Sequence, residues 1–265
     1  MGRPMVDRLL EAGFPVSVFV RRPDVADELA AAGAVIAPSI ADLSASVDVL
    51  CVCTFSDAQL RQVMFDDGAL AAMPAGSALV NHVTGSPRLS RQLADQAGTG
   101  VRVVDAPMSG TADQIRAGRL TLLVGAPSDD LELVRPVLAA YADPIIHVGE
   151  VGDGQRIKLV NNLVFTVNLH LATLAADIGE SLGIPPAKLA QVLEHCSGAS
   201  RALSLLADIP ASAMVEAARP FLAKDVAIVR EVAGELGVDL GLLGELAGWV
   251  SSSAGPAAAG PAAAG

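Results

Sequence analysis

The stretch GDGQRIKLVNN places Lys158 and Asn162 four residues apart. In a helix that spacing sets both side chains on one face, one turn apart. Ile157, Leu159, Val160, Leu163 and Val164 around them are apolar, so the lysine is expected to be drawn out of water rather than left on the surface. A desolvated ammonium gives up its proton more readily, which suits a general acid or base. The asparagine can hold either the lysine or a substrate. A second stretch, DAPMSGTADQIRAGRLTLLVG, ends a strand at Asp105-Ala106-Pro107 and turns at Ser109-Gly110. A hydroxyl beside bare backbone N–H groups makes a site for a small carboxylate, although an ordinary turn has the same composition.

Other chemistries lack their residues. His82, His147, His170 and His195 show no metal-ligand spacing, and no Gly-x-Ser-x-Gly elbow occurs. Cys51, Cys53 and Cys196 are too few and too unevenly spaced for a disulfide framework or a zinc site. A reducing cytosol is therefore expected, with Cys51 and Cys53 packed in the core. A net charge of −11 argues against a general nucleic-acid binder, which needs a basic face. The opening lacks the charged, apolar, small-residue progression of a secretory leader. Residues 159–176 carry no formal charge, but Asn161, Asn162, Asn168 and His170 would be costly in hydrocarbon. A helix buried within the protein or a dimer is expected there, not a membrane span.

Elements must position these groups. The chain has 265 residues, enough for two ordinary domains, and its aromatic content of 3% leaves a core of Ala, Val and Leu. PVSVFV, VDVLCVCTF, GSALVNHVT, VRVVDAP, RLTLLVG and PIIHVG read as strands, with VDVLCVCTF apolar throughout as if covered on both faces. Helices alternate with them, such as DVADELAAAG and SPRLSRQLADQAG, the latter with Ser86 as N-cap and Pro87 at the first helical position. That order predicts a doubly wound, mostly parallel α/β domain over residues 1–151. After Gly149 no strand is expected: residues 154–182 read as one long helix, and 152–250 as an all-α domain. The tail 251–265, rich in Gly, Pro and Ala, is expected to pack no helix.

The first residues, MGRPMVDRLLEAGFPVSVFVRRPD, read as an amphipathic helix and then a strand. In a dinucleotide-binding βαβ unit, a strand and a glycine-rich turn precede such a helix, whose N-terminus faces the pyrophosphate. Only Gly2 could belong to that turn, and a plain amphipathic helix fits equally well. Arg21 and Arg22 follow the strand where an acid would bind a ribose 2′-hydroxyl; arginine there suits a 2′-phosphate instead.

Taken in order, these motifs resemble the β-hydroxyacid dehydrogenase family, which includes 3-hydroxyisobutyrate dehydrogenases and tartronate semialdehyde reductases. The opening resembles the end of that family's Gly-x-Gly-x-x-Gly loop. NHVTGSP resembles its Ser-Thr-x-x-Pro segment, DAPMSGT its Asp-Ala-Pro-Val-Ser-Gly-Gly signature, GDGQRIKLVNN its Gly-x-Gly-x-x-x-Lys-x-x-x-Asn signature, and FLAKD its late Lys-Asp pair. The resemblance covers about residues 1–249. It implies a Rossmann-type domain lacking its first strand, followed by a helical domain, with either a start of the fold upstream of Met1, the favoured expectation, or a polypeptide that folds without that strand and binds cofactor poorly.

The resemblance also implies roles. Lys158 would be the catalytic acid/base and Asn162 its partner. Ser109, Gly110 and Thr111 would hold a substrate carboxylate, with Lys224 reaching toward it and the cofactor. Gly2, Arg21, Arg22, Cys53, Thr54, Gln59 and Thr84 would line the cofactor, NADP or alternatively NAD. No metal is implied, and the expected state is a cytoplasmic homodimer formed through the helical domain. Four departures stand out: the absent first strand and first two glycines of the loop, Val83 in place of a serine, Thr111 in place of a second glycine, and a C-terminal helical segment expected to stop near Val250. Two rivals share the architecture. Imine reductases usually lack a lysine at the position of Lys158, and a non-catalytic relative would keep the fold without binding cofactor well.

Overall fold

The computed structural model describes residues 1–251; the expectation for the low-complexity tail lies outside the described residues apart from Ser251. The chain divides into two compact units, Met1–Lys158 and Leu159 onward. The division falls inside a helix, a few residues beyond the boundary at 152 expected from composition.

The first unit alternates strands and helices: α1 (Gly2–Glu11), β1 (Ser17–Val18), α2 (Pro23–Ala31), β2 (Val35–Ile36), α3 (Ile40–Ala45), β3 (Val49–Val52), α4 (Asp57–Arg61), α5 (Ala69–Ala72), β4 (Ala78–Asn81), α6 (Pro87–Ala97), β5 (Arg102–Asp105), β6 (Met108–Ser109), α7 (Ala112–Arg116), β7 (Leu120–Gly125), α8 (Ser128–Ala139) and β8 (Ala142–Gly149). The chain then enters α9 (Asp153–Ser181). Ser86 caps α6 by accepting the Arg88 N–H, with Pro87 first in the helix, as its sequence predicts.

The strands form two separate sheets. β1 and β2 pair in parallel. The other sheet runs β3-β4-β5-β7-β6, with β8 beside β7. β3, β4 and β5 are parallel, but β7 is antiparallel to β5, meeting it through the single pair Asp105 and Gly125. The sheet is thus less parallel than expected, because after DAP the chain returns through the short helix α7 to pair β7 antiparallel with β6.

Nothing pairs with the second edge of β1 or of β3 among the described residues. Between them lies a cavity of about 810 Å³ lined by Met5, Val18, Val49, Cys51 and their neighbours. Its effect on the flanking strands corrects two expectations. PVSVFV is a strand only over Ser17–Val18, since one ladder cannot order its full length. Val49–Val52 alternates half-buried and buried residues instead of being covered on both faces.

The cores on the two faces of the larger sheet are aliphatic. One joins Val80, Val104, Leu120, Leu122 and Tyr141; the other joins Leu50, Leu79, Leu89 and Leu93. The second unit continues α9 and adds α10 (Pro186–Leu193), α11 (Arg201–Leu205), α12 (Ala211–Leu236) and α13 (Gly241–Ala247), with no strand among the described residues. Trp249 packs as expected: it stacks on His170 at 4.9 Å and donates its indole N–H to the Thr166 carbonyl.

Candidate active site

The first unit gathers the site around the start of α9. Lys158 lies in the second turn of that helix and is buried at 8% exposure. Asn162, one turn on, is buried at 7%. Desolvation of the lysine, expected from its apolar neighbours, is therefore met in the fold, while Ile157 and Val160 beside it face outward.

What holds the start of α9 is Asp105, at the end of β5 and fully buried. Its Oδ2 accepts the N–H groups of Gly152 (3.2 Å) and Gln155 (3.0 Å), capping the helix from another element. Its Oδ1 accepts from the Gln155 side chain (2.7 Å) and the Ser90 hydroxyl (3.2 Å). Burial outweighs these four donors and pushes the carboxyl up to about 6. Gly154 makes the close approach possible: a Cβ there would stand 2.9 Å from Asp105 Oδ2 and 2.5 Å from the Leu123 carbonyl oxygen.

Gln155, also fully buried, ties this cap to the turn after β4. Its amide donates to the Val83 carbonyl (2.8 Å) and accepts the Gly85 N–H (2.8 Å). Thr84, expected to contact cofactor, lies between those two residues. Next to this network His82 is buried and neutral: desolvation holds it down at about 4. Nδ1 donates to the Ala106 carbonyl (2.7 Å) and Nε2 accepts from the Tyr141 hydroxyl (2.8 Å). The Cys51 thiol completes the chain 3.9 Å from Tyr141.

The turn after β5 carries the predicted carboxylate binders. Ser109 ends β6 and is half-buried, and Gly110 is exposed with a φ of 146°. A Cβ at Gly110 would lie 2.8 Å from Gln114 Oε1. Thr111 caps the next helix: its hydroxyl accepts the Gln114 N–H and its own N–H donates to Gln114, a capping box for α7.

Of the residues expected to line a cofactor, Gly2, Arg21, Cys53, Thr54 and Gln59 line the cavity between the sheets, and Arg22 and Thr84 do not. Gly2 opens α1, whose N-terminus has no side-chain cap. Arg21 and Arg22 are exposed just past β1. Cys53, Thr54 and Gln59 follow β3; Gln59 accepts the Phe55 N–H (2.9 Å), and desolvation raises the Cys53 thiol. The Thr54 hydroxyl is shielded from solvent with no hydrogen-bond partner. Open helix N–H groups, two arginines and an orphaned hydroxyl fit a dinucleotide phosphate group and ribose.

In the second unit Asn162 donates its amide to Asp225, whose other oxygen pairs with Lys224 at 2.7 Å. Asp225 is buried and was not singled out in the sequence, although the Lys-Asp pair in FLAKD carried the signal. Asp105 and Gln155 were likewise within quoted motifs but without a role. Among the described residues no cluster of His, Cys, Asp and Glu could hold a metal.

Comparison with known proteins adds the family. The model described as the NAD binding domain of 6-phosphogluconate dehydrogenase matches residues 1–149. That of the NAD-binding domain of NADP-dependent 3-hydroxyisobutyrate dehydrogenase matches 152–261. The chain belongs to the β-hydroxyacid dehydrogenase family. It is 34% identical to an L-threonate dehydrogenase of Cupriavidus necator over 76% of this chain and 68% of that one. It is 30% identical to the human mitochondrial 3-hydroxyisobutyrate dehydrogenase over 75% of this chain, and spans 60% of that relative's length. Among solved structures it resembles a Mycobacterium tuberculosis 3-hydroxyisobutyrate dehydrogenase with L-serine, at a TM-score of 0.83 and 27% identity, covering 95% of this chain and 89% of that one. An imine reductase from Myxococcus stipitatus shares the fold at a TM-score of 0.67 and 20% identity, over 95% and 89% of the two chains. An oxidoreductase with a nicotinamide cofactor and a Rossmann-type domain followed by helices is what these relationships establish.

Proposed function

We propose that this chain is an NADP-dependent dehydrogenase that interconverts a small 3-hydroxy acid and its semialdehyde, with Lys158 as general acid and base. The burial of Lys158 on the capped start of α9 is the observation that carries this reading. When bound, the nicotinamide exchanges hydride with the substrate's carbonyl carbon. In reduction, the Lys158 ammonium donates a proton to the oxygen as negative charge grows on it. In oxidation, the neutral amine takes the hydroxyl proton. Asp225 fixes the Asn162 amide so that its remaining N–H can orient the substrate. The Ser109 hydroxyl and Gly110 N–H hold the carboxylate. Arg21 and Arg22 supply the preference for a 2′-phosphate.

The names of the relatives support a 3-hydroxy acid. A cytoplasmic homodimer fits the outward apolar row along α9, Val160, Val164, Leu171, Leu174 and Ile178, of which Ile178 is 62% exposed. Turnover of a panel of 3-hydroxy acids, semialdehydes and cyclic imines with NADP(H) and NAD(H) tests the reading; activity on imines alone would refute it. One rival is a non-catalytic relative that keeps the fold but not the cofactor. Fluorescence titration with NADPH and NADH separates them, since the rival binds neither.

A further inference from the structure

We infer that Asp105 and Gln155 form a positioning pair that sets Lys158 for proton transfer. The inference rests on the proposed role of Lys158.

Three chain segments meet at these two side chains. Asp105 ends the strand that leads into Ser109-Gly110. Gln155 is three residues before Lys158 on α9 and is bonded on both sides of Thr84. The pair therefore joins the carboxylate turn, the expected cofactor turn and the helix carrying the acid/base. Each bond restricts one degree of freedom. The two backbone N–H groups on Oδ2 fix the height and tilt of the first turn of α9. The Gln155 side chain on Oδ1, Val83 and Gly85 fixes rotation of the helix about its axis. Rotation is what carries a side chain three residues on toward or away from a reacting atom.

The donor arrangement makes the carboxylate form specific. Both oxygens already receive two donors, so a proton on either must displace one of them. An amide at 105 has the same shape but must point N–H groups at N–H groups. A carboxylate at 155 sets two acceptors against each other. Exchanging both, Asp105→Asn with Gln155→Glu, restores a donor–acceptor bond of reversed polarity and one charge; it sacrifices the bond to Val83.

The test is steady-state kinetics from pH 5 to 9, with hydrogen exchange of the first-turn amides of α9, on the wild type, Asp105→Asn, Gln155→Glu and the double exchange. Each single substitution is expected to lower kcat by about 10²-fold, the cost of a misplacement of about 1 Å, and to speed exchange at the α9 amides. KM for the acid should stay within about threefold, since ground-state binding is untouched. The double exchange should recover about tenfold or more over either single substitution. Wild-type kcat should fall below about pH 6, and Asp105→Asn should lack that limb. Singles that melt at lower temperature but keep kcat and its pH profile overturn the inference, as does a double exchange that only sums the losses. Should Asp105→Asn not fold, recovery of folding and turnover in the double exchange supports the pair, and no recovery overturns it. A wild type inactive on the whole panel defeats the functional reading instead; amide exchange in the four proteins then decides the pair alone.

Discussion

Replacing His82 with glutamine should unmask a pH dependence of stability that the native protein cancels. His82 falls from an ordinary 6.5 to about 4 because it is buried as a neutral acceptor of the Tyr141 hydroxyl. Its depressed value means that the unfolded chain takes up the proton first. Its contribution is whole above pH 6.5 and is lost as pH falls from there through 4, about 3 kcal/mol in all. Asp105 works in the opposite direction. Its value rises from 3.8 to about 6, so the folded chain binds the proton first, and stability increases by about 3 kcal/mol as pH falls through that window. Between about pH 4 and 6 the two nearly offset. Glutamine keeps a donor for Ala106 and an acceptor for Tyr141 but cannot titrate. Urea unfolding followed by far-UV circular dichroism, at constant ionic strength from pH 4 to 7.5, should show the variant gaining about 3 kcal/mol on the wild type as pH drops. Parallel curves, or a wild-type His82 that titrates near 6.5 by NMR, would refute the reasoning.

Other outcomes are equally direct. Lys158→Ala should reduce kcat by about 10²- to 10⁴-fold, with NADPH binding by fluorescence unchanged; retained turnover would remove the proposed acid/base. Arg21→Ala with Arg22→Ala should weaken NADPH by about tenfold or more relative to NADH, the loss of a charge-assisted bond, as read from the ratio of KM values. Val160→Glu with Ile178→Glu should convert a dimer in light scattering to a monomer without loss of helical signal; a wild type that is already monomeric would contradict the proposed assembly.

The order of elements was legible because its signals are local. Ser86-Pro87 states a helix start, and the apolar runs state strands. That Lys158 and Asn162 share a face was legible from spacing, since one helical turn puts them on one side whatever surrounds them. The hub was not legible. Asp105 and Gln155 are 50 residues apart, and nothing in DAP or GDGQ says that the carboxylate of one caps the helix of the other. Asp225 hid for the same reason, its partner Asn162 lying 63 residues away. The Thr111 cap was not legible because a hydroxyl beside a glycine serves a ligand or a helix cap equally well, and only the position of Gln114 reveals the cap. The extent of β1 was overestimated because propensity does not register a missing neighbour.

The open edges of β1 and β3 have a mechanical consequence. No ladder bond joins the β1–β2 sheet to the larger one. What ties residues 1–47 to the rest of the unit is Met5 in the core of the larger sheet, the packing of α1 on α7 and of α3 on α5, and the Arg8 bond to the Ala140 carbonyl. Arg21, Arg22 and the start of α1 lie on the β1–β2 side, while Thr54 and Thr84 lie in the turns after β3 and β4. A dinucleotide held by both would act as a clasp, and amide protection over β1 and β2 should rise when NADPH is added.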